Sequence, residues 1–272
     1  MPEETLPAQT NDNLFRQAFG GLGDYFLGGM FYLGGLTQLV KNFFKAIISY
    51  TFPFKETIKQ FEEVGIKSAS LTNLIALFTG LVIAVQFIVG LERFGLQLYV
   101  GQIVGIAISR ELGPVLTALM VAARVGAGIK AEIGSMNVTE QVSAIEAMGA
   151  NPINKLVVPR VIATTFCTPI LAVVADFVGI IGGMLITTVE TGIGYKYFVD
   201  QVTNTVEIMD FGSGIAKTFF FGFFIGIIAC YQGLNTRGGT EGVGRSTTMS
   251  VVYSSICIFI SDFFLTKLFL TI

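Results

Sequence analysis

Residues 156–189 read LVVPRVIATTFCTPILAVVADFVGIIGGMLITTV, and only Arg160 and Asp176 carry charge in that run. A helix needs about 20 mostly apolar residues to cross a membrane, and this stretch is long enough with residues to spare. Four more segments of the same kind flank it: residues 68–91 and 99–129 before it, and residues 215–234 and 247–270 after it. The pattern predicts an all-α polytopic membrane protein with five spanning helices.

The composition of the whole chain agrees. Of its 272 residues, 52% are hydrophobic and 13% charged, and the mean hydropathy is +0.70. A soluble domain carries about 25% charged residues, so lipid must cover part of this surface. The net charge of −2 argues against a nucleic-acid partner. Histidine is absent, which excludes every His-based nucleophile, base or metal site. Cys167, Cys230 and Cys257 lie in apolar stretches without metal-ligand spacing and read as small buried residues. The N-terminal MPEETLPAQTNDN lacks the basic and apolar regions of a secretory signal, and residues 1–24 are expected to form a disordered tail.

Residues 25–67 need a separate decision. Leu36, Leu39, Val40, Phe43, Phe44, Ile47 and Ile48 repeat on one helical stripe, with Lys41 and Lys45 beside it. Such a helix suits the membrane interface, and Pro53 would end or bend it; the alternative is a sixth spanning helix. Lys and Arg set the orientation. Arg16, Lys41, Lys45, Lys55, Lys59 and Lys67 precede the first span. Lys130, Lys155 and Arg160 lie between spans two and three, and Arg237 and Arg245 between spans four and five. The other side holds Arg93 and Lys196, with Lys217 at a boundary. The N-terminus is therefore expected in the cytoplasm and the C-terminus outside. The outer connection ETGIGYKYFVDQVTNTVEIMD, with Glu190, Asp200, Glu207 and Asp210, is acidic and has room for a short helix.

The cytoplasmic connector between spans two and three is AEIGSMNVTEQVSAIEAMGANPINKLVVPR, residues 131–160. Val138, Val142, Ile145 and Met148 share one helical face, while Glu140 and Glu146 fall off it. Asn137 is a candidate helix cap, and Thr139 and Glu140 suit a first turn. Gly149 and Asn151-Pro152 stop the helix. A short amphipathic rod outside the membrane either rests on its own protein or docks into a partner. If the chain pumps, it needs an ATPase partner, because it has no convincing nucleotide site of its own. Gly239-Thr-Glu-Gly-Val-Gly244-Arg245-Ser246 imitates a P-loop, but it lacks the strand that a P-loop follows, and its glycines suit a tight turn instead.

The run RELGPVLTALMVAARVGAGIKAEIGSM (residues 110–136), the following TEQVSAIEAMGANP and LVVPR, and the C-terminal GVGRSTTMSVVYSS…SDFFLTKL resemble the MlaE-type permeases, membrane subunits of ABC lipid transporters that work with MCE proteins. The resemblance covers residues 35–270. It implies a homodimer in the inner membrane, an ABC ATPase beneath it that binds ATP and Mg, an MCE-domain protein on the outer side, and phospholipid as cargo. On that basis residues 25–67 include an elbow helix and residues 68–272 form the five-helix permease domain. No cofactor is expected on this chain, and no catalytic residue. Glu140, Val142, Ile145, Glu146, Met148 and Gly149 are the expected ATPase-coupling residues. The lipid pocket is expected toward the outer leaflet, with Val89, Leu91, Phe94 and Leu98 as apolar walls and Arg110 beside them.

Arg110, Glu111, Asp176, Lys217 and Asp262 are charges inside spans, each costing roughly 2.5–3.5 kcal/mol at a helix centre. They are read as an intramembrane polar network, either as ion pairs that fix helix packing or as a path for a charged headgroup. A competing function from another class is an ion-coupled secondary transporter that uses these charges, and a third is a membrane scaffold. The lack of an evident inverted repeat and the amphipathic connector weigh against the ion-coupled one.

Overall fold

The computed structural model describes the backbone of residues 8–236 and 239–271, and the side chains of residues 27–236, 239, 244 and 247–271. The order of helices is α1 (Ala8–Ser49), α2 (Phe54–Glu92) and α3 (Gln97–Val138), and α4 (Gln141–Ala147). There follow α5 (Ile153–Thr191), α6 (Tyr195–Thr205), α7 (Ile208–Leu234) and α8 (Gly239–Thr271). No strand occurs among the described residues. Five helices there are long and apolar enough to cross a membrane: α2, α3, α5, α7 and the Thr247–Thr271 part of α8.

Apolar side chains are distributed as a lipid-solvated protein requires. Phe78, Phe166, Phe177, Phe259, Phe263 and Phe264 are exposed; in water they would form adhesive patches. The interior is held by close backbone approach, because lipid tails compete with apolar side chains and leave packing as the main source of helix association. The central helix is α5, lying against α2, α3 and α7. A Cβ added at Gly80 of α2 would stand 1.9 Å from Gly179 O of α5, and one at Gly226 of α7 would stand 2.4 Å from Thr164 Oγ1. The spaced glycines 179/183 and 222/226 therefore sit at real helix contacts. Outside this core, Phe198 and Val202 of α6 pack with Ala84, Ile88, Val100 and Val104, covering the corner where α2 ends and α3 begins.

Several boundaries differ from the sequence expectation. The helix expected within residues 25–67 is split: α1 already begins at Ala8, inside the stretch read as a tail, while residues 1–7 lie outside the described residues. It passes through Gly28, Gly29, Gly34 and Gly35 without a break and ends before Pro53. Leu39, Phe43 and Ala46 are buried, with Phe43 against Phe223 of α7 (centroids 5.9 Å apart). Residues 54–67 belong to α2, because Pro53 starts a new helix as well as ending the old one. Likewise α7 begins at Ile208, ahead of the expected 215, and this brings Asp210 onto a helix.

Four turns are widened from the α to the π pattern: Glu62–Ile66, Ile108–Leu112, Ala122–Gly126 and Ile153–Val157. Such turns release backbone carbonyls for other partners and concentrate at functional positions. Arg110 and Glu111 lie in the second, and Arg124 in the third.

Candidate functional site

At the end of the bundle expected to face outward, charged residues of α3 and α8 converge on Lys217, whose side chain is 2% exposed. Its Nζ donates to Glu111 Oε1 (2.9 Å), Thr266 Oγ1 (2.6 Å) and the backbone Arg110 O (3.2 Å), so all three ammonium protons have an acceptor. The Arg110 carbonyl is free for this role because Pro114, four residues on, has no N–H to offer it. Thr266 closes the ring by donating to Glu111 Oε1 at 3.1 Å, and Asp262 Oδ1 lies 3.2 Å from the same Nζ. One lysine on α7 thus contacts carboxyl groups from both α3 and α8.

Arg110 points to a different partner. Its Nε lies 3.4 Å from Asp210 Oδ1, while Asp210 Oδ2 accepts from the Glu207 backbone N–H (3.3 Å), half of a capping box that starts α7. Asp176 joins neither group. It is 1% exposed, neither carboxylate oxygen has a hydrogen-bond partner among the described residues, and Oδ1 presses on Gly113, where an added Cβ would be 1.6 Å away. Of the five charges read as one network, the structure joins Glu111, Lys217 and Asp262, pairs Arg110 separately, and leaves Asp176 apart. Sequence reasoning missed Thr266 and the pairing of Asp210. Both were within reach: Asp210 stands seven residues before Lys217 on one helical face, and Thr266 four after Asp262.

A cavity of about 410 Å³ opens beside this cluster, lined by Glu111, Asp262 and Thr266 together with Phe259, Phe263 and Leu270 of α8. One wall is charged and the other apolar, a surface that fits an amphiphile. The residues expected to form a lipid pocket lie elsewhere: Val89, Phe94 and Leu98 are exposed at the Glu92 end of α2 and its turn into α3, and Leu91 is half-buried against the apolar cluster of Phe198 and Val202. Arg110 lies deeper along α3 and faces α7.

On the opposite side, α3 and α5 are joined through α4. The α3 helix runs on to Val138, so Asn137 caps nothing: its Nδ2 donates to Thr236 O (3.1 Å), tying α3 to the end of α7. The chain turns at Glu140, the one non-glycine residue with positive φ (58°) among the described residues. The end of α4 is set by Gly149 at φ +78°, with Ala150 N–H donating to Ile145 O and Gly149 N–H to Glu146 O, a Schellman closure. Asn151 Oδ1 then accepts from Ile153 N–H (2.9 Å) and caps α5. Both ends of this short helix are therefore fixed.

Its sides are bare. Val142 and Ile145 are half-buried; Glu140, Glu146, Met148 (74%) and Gly149 are exposed. A cavity of about 490 Å³ lies between Val142, Glu146 and residues 149–153 on one side and Tyr50 and Leu234 on the other. Val138 belongs to α3, so the apolar face of α4 is shorter than the sequence pattern implied. Arg160 and Lys130, counted as loop charges, are buried: Arg160 Nη2 pairs with Glu132 (2.8 Å), and Lys130 Nζ donates to Thr247 Oγ1 (3.3 Å). The P-loop imitation forms the first turns of α8, where Gly239 has φ +67°, rather than a loop. Arg237 lies outside the described residues, as do the side chains of Arg16 and Arg245.

Comparison with known proteins connects this arrangement to transport. The family profile described as Permease MlaE matches residues 57–268, from α2 through most of α8. A probable ABC transporter permease protein of Rickettsia felis is 41% identical over 212 residues, covering 78% of this chain and 82% of the relative. One of Synechocystis is 41% identical over 214 residues, covering 79% and 81%. The intermembrane phospholipid transport system permease protein MlaE of Haemophilus influenzae is 34% identical over 216 residues, covering 79% and 83%.

Proposed function

The chain belongs to the MlaE permease family, and from that premise we propose that it is the non-catalytic membrane subunit of an ABC transporter that moves phospholipid between the inner membrane and the cell envelope. In this proposal two copies form the membrane unit. ATP and Mg are bound and turned over by a separate ATPase seated on α4, and an MCE-domain protein receives or delivers lipid on the outer side. The N-terminus and α4 face the cytoplasm.

One observation carries the reading: α4 is fixed at both ends to spanning helices and bare along its sides. A short helix with only Val142 and Ile145 half-buried gains little from folding alone. Held stiffly by Gly149 and Asn151, it is suited to receive force from another chain and pass it to α3 and α5. The outer cluster supports the same reading. Its charges are engaged with one another yet line an amphiphilic cavity, so a headgroup can exchange polar contacts there without leaving a bare charge in lipid.

The test is purification of the membrane complex from its native host. The wild-type chain should bring down an ATPase whose turnover phospholipid stimulates. Val142→Asp with Ile145→Asp should lose the ATPase or uncouple it while the chain still inserts and folds. Full assembly with normal lipid-stimulated hydrolysis in that variant would reject the assignment of α4.

A further inference from the structure

A second polar chamber, of about 400 Å³, lies on the α2–α3 seam at the cytoplasmic end, lined by Lys59, Gln60, Glu63, Arg124, Gly128 and Glu132 among others. Its carboxylates are already matched: Glu63 pairs with Lys67, and Glu132 with Arg160. Its cations are not. Arg124 directs Nη1 to Glu63 O (3.3 Å) and Ser68 Oγ (2.6 Å), both neutral. No ion pair joins Arg124 or Lys59 to a carboxylate among the described residues. The widened turn Glu62–Ile66 makes room for this, since Lys67 N–H reaches back to Glu62 O while Glu63 O receives Arg124. The chamber therefore presents two cations that share it with Glu63 and Glu132 but pair directly with neither carboxylate.

Its depth identifies the anion. Charged residues crowd α2 up to Lys67, and residues 68–91 carry none. Arg124 bonds to Ser68, the first residue of that uncharged run, so the chamber lies where lipid headgroups end and hydrocarbon begins. Beyond the widened turn, α2 presents Leu71, Leu74 and Phe78 on one exposed face. From Glu63 to Phe78 the helix rises about 22 Å, more than half of a ~30 Å hydrocarbon core. A polar chamber that offers Lys59 and Arg124, with an apolar face one leaflet deep on the same helix, has the dimensions of a phospholipid.

We propose that the α2–α3 chamber is a headgroup site for a phospholipid of the cytoplasmic leaflet, with its phosphate between Lys59 and Arg124 and an acyl chain along Leu71, Leu74 and Phe78. This rests on the permease reading and adds to it a loading or unloading site on the side opposite the outer cluster. Arg124 supplies a planar, permanently charged donor set suited to phosphate, held in place by Glu63 O and Ser68. Lys59 supplies a mobile point charge at the rim.

The experiment uses the full chain in vesicles of phosphatidylethanolamine and phosphatidylglycerol, with a trace of radiolabelled phosphatidylglycerol. A photo-crosslinking residue stands at Gln60 or, as control, at Ile170 on the lipid-facing side of α5. Label should attach at Gln60 and fall about tenfold in Lys59→Ala/Arg124→Gln, as expected for losing charge-assisted contacts to phosphate, with Ile170 labelling unchanged. Since Arg124 also braces α2, Gly128→Leu provides an independent check. A Cβ there meets nothing within 4 Å, so the side chain fills the chamber without a clash and should remove the Gln60 label equally. Undiminished label in Gly128→Leu overturns the proposal. So does its complete displacement by millimolar inorganic phosphate, which would make this a site for soluble anions. The label is read without ATP and depends on the chamber alone; failure of the permease reading would appear instead as an ATPase that does not co-purify.

Discussion

The outer charge cluster and α4 are both polar devices in an apolar protein, and they are built in opposite ways. Around Lys217 each donor is matched within the chain, by Glu111, Thr266 and the Arg110 carbonyl. On α4 the backbone ends are matched and the side chains are left to solvent. The contrast follows from the surroundings. An unmatched charge among apolar helices costs several kcal/mol, so the charges around Lys217 are satisfied by one another, whereas Asp176 stands apart. An unmatched surface in water costs almost nothing and can wait for another molecule. Polar residues closed on themselves hold this fold together, and polar residues left open define what it meets.

Lys217→Met should break the comparison most severely. It leaves Glu111 and Asp262 facing each other, and removing one partner of a buried pair costs about 3–5 kcal/mol. The lower end applies here, because the Glu111 side chain is 39% exposed. The unfolding midpoint in detergent should fall by several degrees, and an unchanged midpoint would mean that the cluster does not hold the helices. Exchanging the charges in Glu111→Lys/Lys217→Glu should recover part of that loss, measured as a coupling energy on the order of 1–3 kcal/mol in a double-mutant cycle. No recovery would point to a role in substrate contact rather than packing.

On the α4 side the effects on stability should be smaller. Gly149→Ala forces an L residue into a left-handed conformation, at a cost of about 1–2 kcal/mol. It should loosen Gln141–Ala147 in hydrogen exchange without moving the global midpoint. Smallest of all, Glu146→Ala and Met148→Ala should change stability by less than ~0.5 kcal/mol, with any deficit confined to assembly with the ATPase. A large drop in midpoint from either would show that α4 is packed after all.

Much of this was legible in the residues. The five spans were plain because hydrocarbon demands long uncharged runs, and Gly149 and Asn151 announced the end of α4 through their backbone preferences. The extent of α1 was less clear, because four glycines there lower helix propensity while packing of Leu39 and Phe43 against α7 supports the helix. The start of α7 was hidden by the polar residues of its capping box. The charges inside the spans were visible one by one, but their pairing was not: Asp176 and Asp262 look alike in sequence, yet one meets Gly113 and the other Lys217.

The sequence alone therefore determined that the chain has five helices long and apolar enough to cross a membrane and a short helix between the second and third, since both are local consequences of apolar length, periodicity and turn chemistry. Only the tertiary structure decided which carboxylates meet Lys217, that Pro114 hands it the Arg110 carbonyl, and that Arg124 and Lys59 share a chamber without pairing directly to its carboxylates. Those outcomes depend on the rotation and depth of each helix against its neighbours, and these are set where glycines such as Gly80 and Gly226 let backbones touch.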